Sequence, residues 1–169
     1  LRSRPIAMAA PSSSPQAQRK RRVLIADDNA YYLTIIANAL AEGGYEITAI
    51  SDGFAAMEAL GQGHVELDLA ILNRELPGLS GMDIVRKTRQ ELGNTALIML
   101  LMDVFTKKGA EIEELKSSGA SGYFNKSIPI EEIVYRINDL LFPPQRFSRK
   151  NPRAVIYLPV RFLFGEQQS

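Results

Sequence analysis

The sequence predicts a doubly wound α/β domain over residues 22–142, with a five-stranded parallel sheet and five helices. Three features predict it: short apolar runs of strand length, helical periodicity in the stretches between them, and links of only a few residues. A strand, a helix and a short link return the next strand parallel to the last, and right-handed crossovers spread the helices over both faces.

Residues 23–27, VLIAD, form an apolar run ending in acid, as expected of a strand buried on both faces. NAYYLTIIANALAEGG follows, with Leu33, Ile36, Ala37 and Leu40 at helical spacing and Gly43-Gly44 placed to end the helix. YEITAI (45–50) reads as a strand, GFAAMEALGQG as a short helix and LDLAIL (67–72) as the third strand. GMDIVRKTRQEL is a helix that Ser80 can cap. TALIMLLM (95–102) is the fourth strand, KKGAEIEELKSSG a helix closed by Gly119, and SGYF a short fifth strand. The last helix, IPIEEIVYRINDLLF, turns Ile130, Ile133, Val134, Ile137 and Leu141 inward and stops before Pro143-Pro144.

Composition narrows the functional classes. The chain has 169 residues, 46% apolar and 23% charged, and no apolar run approaches the roughly 18 residues a membrane span needs. Cysteine is absent, which excludes disulfides, thiol catalysis and zinc-thiolate sites and fits the expected cytoplasmic location. The net charge of +1 conceals an acidic body: residues 23–142 carry −9, residues 1–22 six basic groups and no acid, and residues 143–169 a net +4. Nucleic acid is therefore not expected on the body, and polyanion binding would fall to the flanks. Residues 1–21 read as a disordered basic leader rich in Pro, Ser and Ala, with RKRR (19–22) as a solvated charge run, and Leu1 in place of Met suggests a fragment.

Ligands of such sheets bind at the carboxyl ends of the strands. The polar residues fall there: Asp27 and Asp28 after the first strand, Asn73 after the third, Asp103 after the fourth and Lys126 after the fifth. Two carboxylates, a third oxygen ligand and a lysine suit Mg²⁺-assisted phosphoryl transfer to a carboxylate, because the metal takes hard oxygens and the ammonium offsets phosphoryl charge.

The acidic pair at 27–28, DLAILNRELPGLSGMDIV in the third-strand region, and GASGYFNK before the last helix together resemble a response-regulator receiver domain over about 120 residues. The resemblance implies a flavodoxin-like, CheY-like sheet of order 2-1-3-4-5, signalling partners or a homodimer, and an aspartate phosphorylated by a histidine kinase in two-component signal transduction. Asn73 stands at that aspartate's position, and an amide has no anionic oxygen to attack phosphorus. Leu101 stands where the family places a phosphate-binding Ser or Thr, and Tyr123 matches its switch aromatic. Ser127 follows Lys126 where the family has a cis proline; without proline a cis bond costs about 2.5–4 kcal/mol, so a trans loop is expected.

Three departures together point to a lineage that has given up phosphorylation. The expected function is a non-phosphorylatable, non-enzymatic pseudo-receiver acting as a protein-interaction module. Asp27, Asp28 and Asn73 are the candidate Mg²⁺ ligands, and a metal-free salt bridge from Lys126 is the competing reading. The alternatives are a Mg²⁺-dependent phosphohydrolase using Asp27 as nucleophile, whose class expects Asp-x-Asp, and a conventionally phosphorylated regulator. An FMN carrier is disfavoured because ADDNAYYL holds no Ser/Thr/Gly-rich phosphate loop. His64, the single histidine, sits in a polar loop and reads as solvated rather than as a phosphorelay group.

Residues 143–169 form a linker and a strand-like AVIYLPVRFLF, whose bland reading is an edge extension of the sheet. RKNPR, with Arg149 and Arg153, followed by YLPVRF, resembles the opening of a PilZ domain, which binds cyclic di-GMP; two guanidinium groups can grip phosphates and stack on guanine. The second PilZ motif is not reached by Ser169, so truncation is expected, with dinucleotide binding only where the parent completes the domain.

Overall fold

A computed structural model describes residues 19–63, 66–104 and 109–143. The strands are β1 (Arg22–Ala26), β2 (Glu46–Ile50), β3 (Leu69–Asn73), β4 (Ile98–Asp103) and β5 (Gly122–Asn125), alternating with α1 (Ala30–Glu42), α2 (Gly53–Gly61), α3 (Gly81–Gln90), α4 (Gly109–Ser117) and α5 (Ile130–Leu141). All pairings are parallel and the sheet order is β2-β1-β3-β4-β5, the order expected.

The two-residue period of the strands sorts the core into two layers. Val23, Ile25, Ile71, Leu100, Met102 and Phe124 face α1 and α5, where they meet Ile36, Leu40, Ile133 and Ile137. Leu24, Ala26, Leu72, Met99, Leu101 and Tyr123 face the other layer and meet Ala56, Ile84, Val85 and Leu115. The central strand β3 is buried along its whole length, which explains its uninterrupted apolar sequence.

Side chains set the ends of the elements. Asn29, Asp52 and Ser80 each accept a backbone N–H from the first turn of α1, α2 and α3. β4 starts three residues later than the apolar run suggests, because the Asn94 side chain accepts the Leu97 N–H and Arg89 donates to the carbonyls of Asn94 and Leu97, turning 94–97 into a pinned corner. Arg89 also reaches the Gly119 carbonyl, tying that corner to the end of α4.

The basic run before β1 is not simply solvated. Asp68 accepts from Arg19 at 3.2 Å, Arg21 at 2.9 Å and the Arg22 N–H at 2.8 Å, so the run straps the amino end of β1 to β3. Burial pushes the Asp68 carboxyl up, but the Arg22 N–H, the Arg21 hydrogen bond and the nearby guanidinium charges outweigh it and hold it below its ordinary value. Arg21 also lies over the Phe142 ring, 5.4 Å from its centre. His64 and residues 144–169, including Arg149 and Arg153, lie outside the described residues.

Candidate functional site

The carboxyl ends of β1, β3 and β5 bring Asp27, Asp28, Asn73 and Lys126 together. Asp27 leaves the β1 ladder fully buried; its N–H still reaches the Ile50 carbonyl, and one carboxylate oxygen accepts the Asn29 N–H at 2.9 Å. Its other oxygen lies 2.6 Å from Lys126 Nζ. The approach misses hydrogen-bond alignment, so this contact is an ion pair, and that oxygen has no aligned donor among the described residues. The lysine thus finds Asp27 from a loop whose peptide bonds are all trans.

Lys126 is sandwiched rather than solvated. Its ammonium stands 4.5 Å from the centre of the Tyr32 ring, a cation–π distance, and its side chain is 13% exposed. Burial, with the Asp27 charge added, pushes the Tyr32 hydroxyl up to about 12, and this hydroxyl is buried with no hydrogen-bond partner among the described residues. Tyr32 escaped the sequence reading because apolar periodicity counts it as one more helix residue; its place in the first turn of α1, directly after the acid pair, was the signal available.

Asn73 faces the rim from the end of β3 and is 7% exposed. Its Nδ2 donates to Asp28 Oδ1 at 3.1 Å and to the Glu75 carbonyl at 2.8 Å. Both neighbours are pure acceptors, which fixes the carboxamide with its nitrogen toward them. The loop behind it is tight. A Cβ on Gly81 would stand 2.3 Å from the Asn73 carbonyl oxygen, and Gly78 turns with φ +82°, a conformation open to glycine, against the Phe54 ring.

Leu101 and Tyr123 are partners in register across β4 and β5 and are both buried, with Leu101 also paired to Leu72 of β3. Tyr123 therefore packs inward although β5 is an edge strand. The sequence reading also passed over Arg74. Its guanidinium is 3.3 Å from Asp103 Oδ2 and 3.3 Å from Glu114 Oε2, joining the rim to α4.

A five-stranded doubly wound sheet with an acid pair, a β3 polar residue and a β5 lysine at one rim is the architecture of a receiver. Residues 23–138 match the family model of the response regulator receiver domain, and the chain belongs to that family. It is 32% identical over 123 residues to the transcriptional regulatory protein TctD of Salmonella typhimurium, covering 71% of this chain and 51% of that protein. It is 33% identical over 121 residues to the probable transcriptional regulatory protein TcrX of Mycobacterium tuberculosis, covering 70% and 49%. The chain thus spans about half the length of these relatives. Among solved structures it resembles the Francisella response regulator 1452 receiver domain (25% identity, TM-score 0.64, 72% of this chain and 97% of that one). It also resembles the receiver domain of the response regulator NarL from Mycobacterium tuberculosis (26%, TM-score 0.63, 72% and 96%).

Receiver domains bind Mg²⁺ at the phosphorylation site. Here the candidate ligands are committed to one another: Asp27 to Lys126 and the Asn29 N–H, Asp28 to the Asn73 amide, and that amide's nitrogen to two oxygens. The Asn73 nitrogen rather than its oxygen faces Asp28, so the amide would have to turn over to join a cation's oxygen ligands; no group of three His, Cys, Asp or Glu side chains among the described residues could hold one. No described helix is long and apolar enough to cross a membrane.

Proposed function

We propose that this chain is a pseudo-receiver, a signalling module that binds other proteins through a receiver fold without being phosphorylated and without catalysis. The observation that carries the reading is the Asn73 carboxamide, which donates to Asp28 and to the Glu75 carbonyl. An aspartate in that place would bring a third negative charge against two acceptors, and a cation would be needed to hold them together. The amide supplies its own hydrogens, so the rim closes without metal, and the nucleophilic oxygen is gone. Asp27, buried and ion-paired, is not available as a replacement nucleophile. Leu101 has no hydroxyl with which to hold a phosphoryl oxygen. The Arg149/Arg153 motif supports a cyclic di-GMP output on sequence grounds alone, and calorimetric titration of the longer parent with cyclic di-GMP tests that branch.

Acetyl phosphate or beryllofluoride with Mg²⁺ is expected to leave the intact mass and amide spectra unchanged; a stoichiometric adduct would sink the reading. The variant Asn73→Asp reverses the logic of the rim. Mg²⁺ at tenfold its Kd is expected to stabilise this variant by about 1.4 kcal/mol, and to leave the wild type unmoved. Equal stabilisation of both proteins in chemical denaturation would show that the wild-type rim binds metal after all.

A further inference from the structure

In a rim where Asn73 cannot carry a phosphoryl group and Leu101 offers no hydroxyl, no phosphoryl contact can run from β3 to the segment after β4. Arg74, one residue further along, spans that gap. Its N–H donates to the Met102 carbonyl at 2.8 Å and its own carbonyl accepts the Gly81 N–H at 3.0 Å, so its backbone is fixed between β4 and α3. The side chain, 20% exposed, reaches Asp103 at the end of β4 and Glu114 in the middle of α4, with Glu75 a further 4.0 Å contact. Asp103 is itself oriented, because its second oxygen accepts the Val104 N–H at 2.7 Å.

α4 has little apolar anchoring of its own. It turns only Leu115 fully into the core, with Ile112 partly buried beside it, whereas α3 buries Met82, Ile84 and Val85. We propose that Arg74 is a positioning residue that fixes α4, and with it the outer face a partner would meet, by bridging Asp103 and Glu114. This deepens the pseudo-receiver reading and rests on it: the link between rim and α4 is built into the chain rather than made by a phosphoryl group. A guanidinium suits the task, because its planar fork serves two carboxylates at once where an ammonium is a single point of charge.

Hydrogen exchange of residues 109–118 in the full chain tests the proposal. Arg74→Ala is expected to speed α4 exchange about fivefold, with the β1 and β3 amides unchanged, as for loss of a partly buried ion-pair network. Arg74→Lys is expected to restore part of the protection. Raising ionic strength is expected to loosen chiefly the Arg74–Glu114 end, whose carboxylate is 50% exposed, and to leave Arg74→Ala unmoved. Equal α4 protection in wild type and Arg74→Ala would overturn the proposal. If Arg74→Ala loosens the whole sheet, Glu114→Gln removes just the α4 end of the bridge, at a side chain 50% exposed. A rise of about twofold confined to α4 then supports the tie, and no change overturns it. The underlying reading fails separately: wild-type α4 exchange that slows on adding beryllofluoride and Mg²⁺ would contradict phosphorylation-independence whatever Arg74 does.

Discussion

The two ends of the sheet hold their acids in opposite ways. At the carboxyl end, the buried Asp27 has one cation among the described residues, Lys126, delivered from just after β5 about a hundred residues away in the chain and held against the Tyr32 ring. At the amino end, Asp68 shares its charge among Arg19, Arg21 and the Arg22 N–H, all from one stretch of backbone. The first arrangement concentrates the balance in a single desolvated contact, and the second spreads it over several half-exposed ones. The rim is therefore expected to tolerate loss of its cation less well than the strap tolerates loss of one arginine.

The largest effect that tests this contrast is Lys126→Ala. It leaves the Asp27 carboxylate buried without its cation, and a loss of about 3–5 kcal/mol in urea unfolding is expected. A loss below about 1 kcal/mol would mean that water reaches Asp27 and that the rim is no more desolvated than the strap.

Next comes Asp68→Asn, expected to cost about 1.5–3 kcal/mol near neutral pH through weakened charge-assisted hydrogen bonds. The folded-state carboxyl of Asp68 lies below its ordinary value. Its contribution is therefore fully present above the unfolded value of about 3.9 and is lost as pH falls through the lower folded value. The variant should show a shallower loss of stability on acidification than the wild type, measured as unfolding free energy against pH. Parallel acid limbs would show that the strap contributes nothing through that charge.

The smallest effect sharpens the picture of the ring. Tyr32→Phe keeps the ring against Lys126 and removes a buried hydroxyl without a partner among the described residues, so stability is expected to stay within about 0.5 kcal/mol of the wild type or rise slightly. A loss above about 1 kcal/mol would reveal a bond to that hydroxyl.

Much of the fold could be read from the residues because both of its signals are local. The apolar runs gave the strands, and the spacing of Leu33, Ile36 and Leu40 gave a helix whose buried side is Ile36 and Leu40. The ends shifted by one to three residues where a side chain outbid the ladder, as when Asn94 and Arg89 took 95–97 out of β4. The rim was legible in part for the same reason: Asp27, Asp28, Asn73 and Lys126 each end a strand, and parallel topology gathers strand ends. The direction of the Asn73 amide was not legible, since it depends on the Glu75 carbonyl that the Pro-Gly loop brings under it. Arg74 and the Arg19–Arg21 strap were hidden because their partners, Glu114 and Asp68, are chosen by folding rather than by spacing.

The stacking of Arg21 on Phe142 bears on how the domain is wired into a longer polypeptide. The backbone enters beside Arg19 and departs beside Pro143, and both points lie at the amino end of the sheet, since α5 runs back from the rim where β5 ends. Inlet and outlet are neighbours, the arrangement that lets a domain be spliced into a host loop with little strain. A tug between the two tethers is expected to load that edge, and with it the arginine strap, before it reaches Asn73 and its neighbours at the far pole.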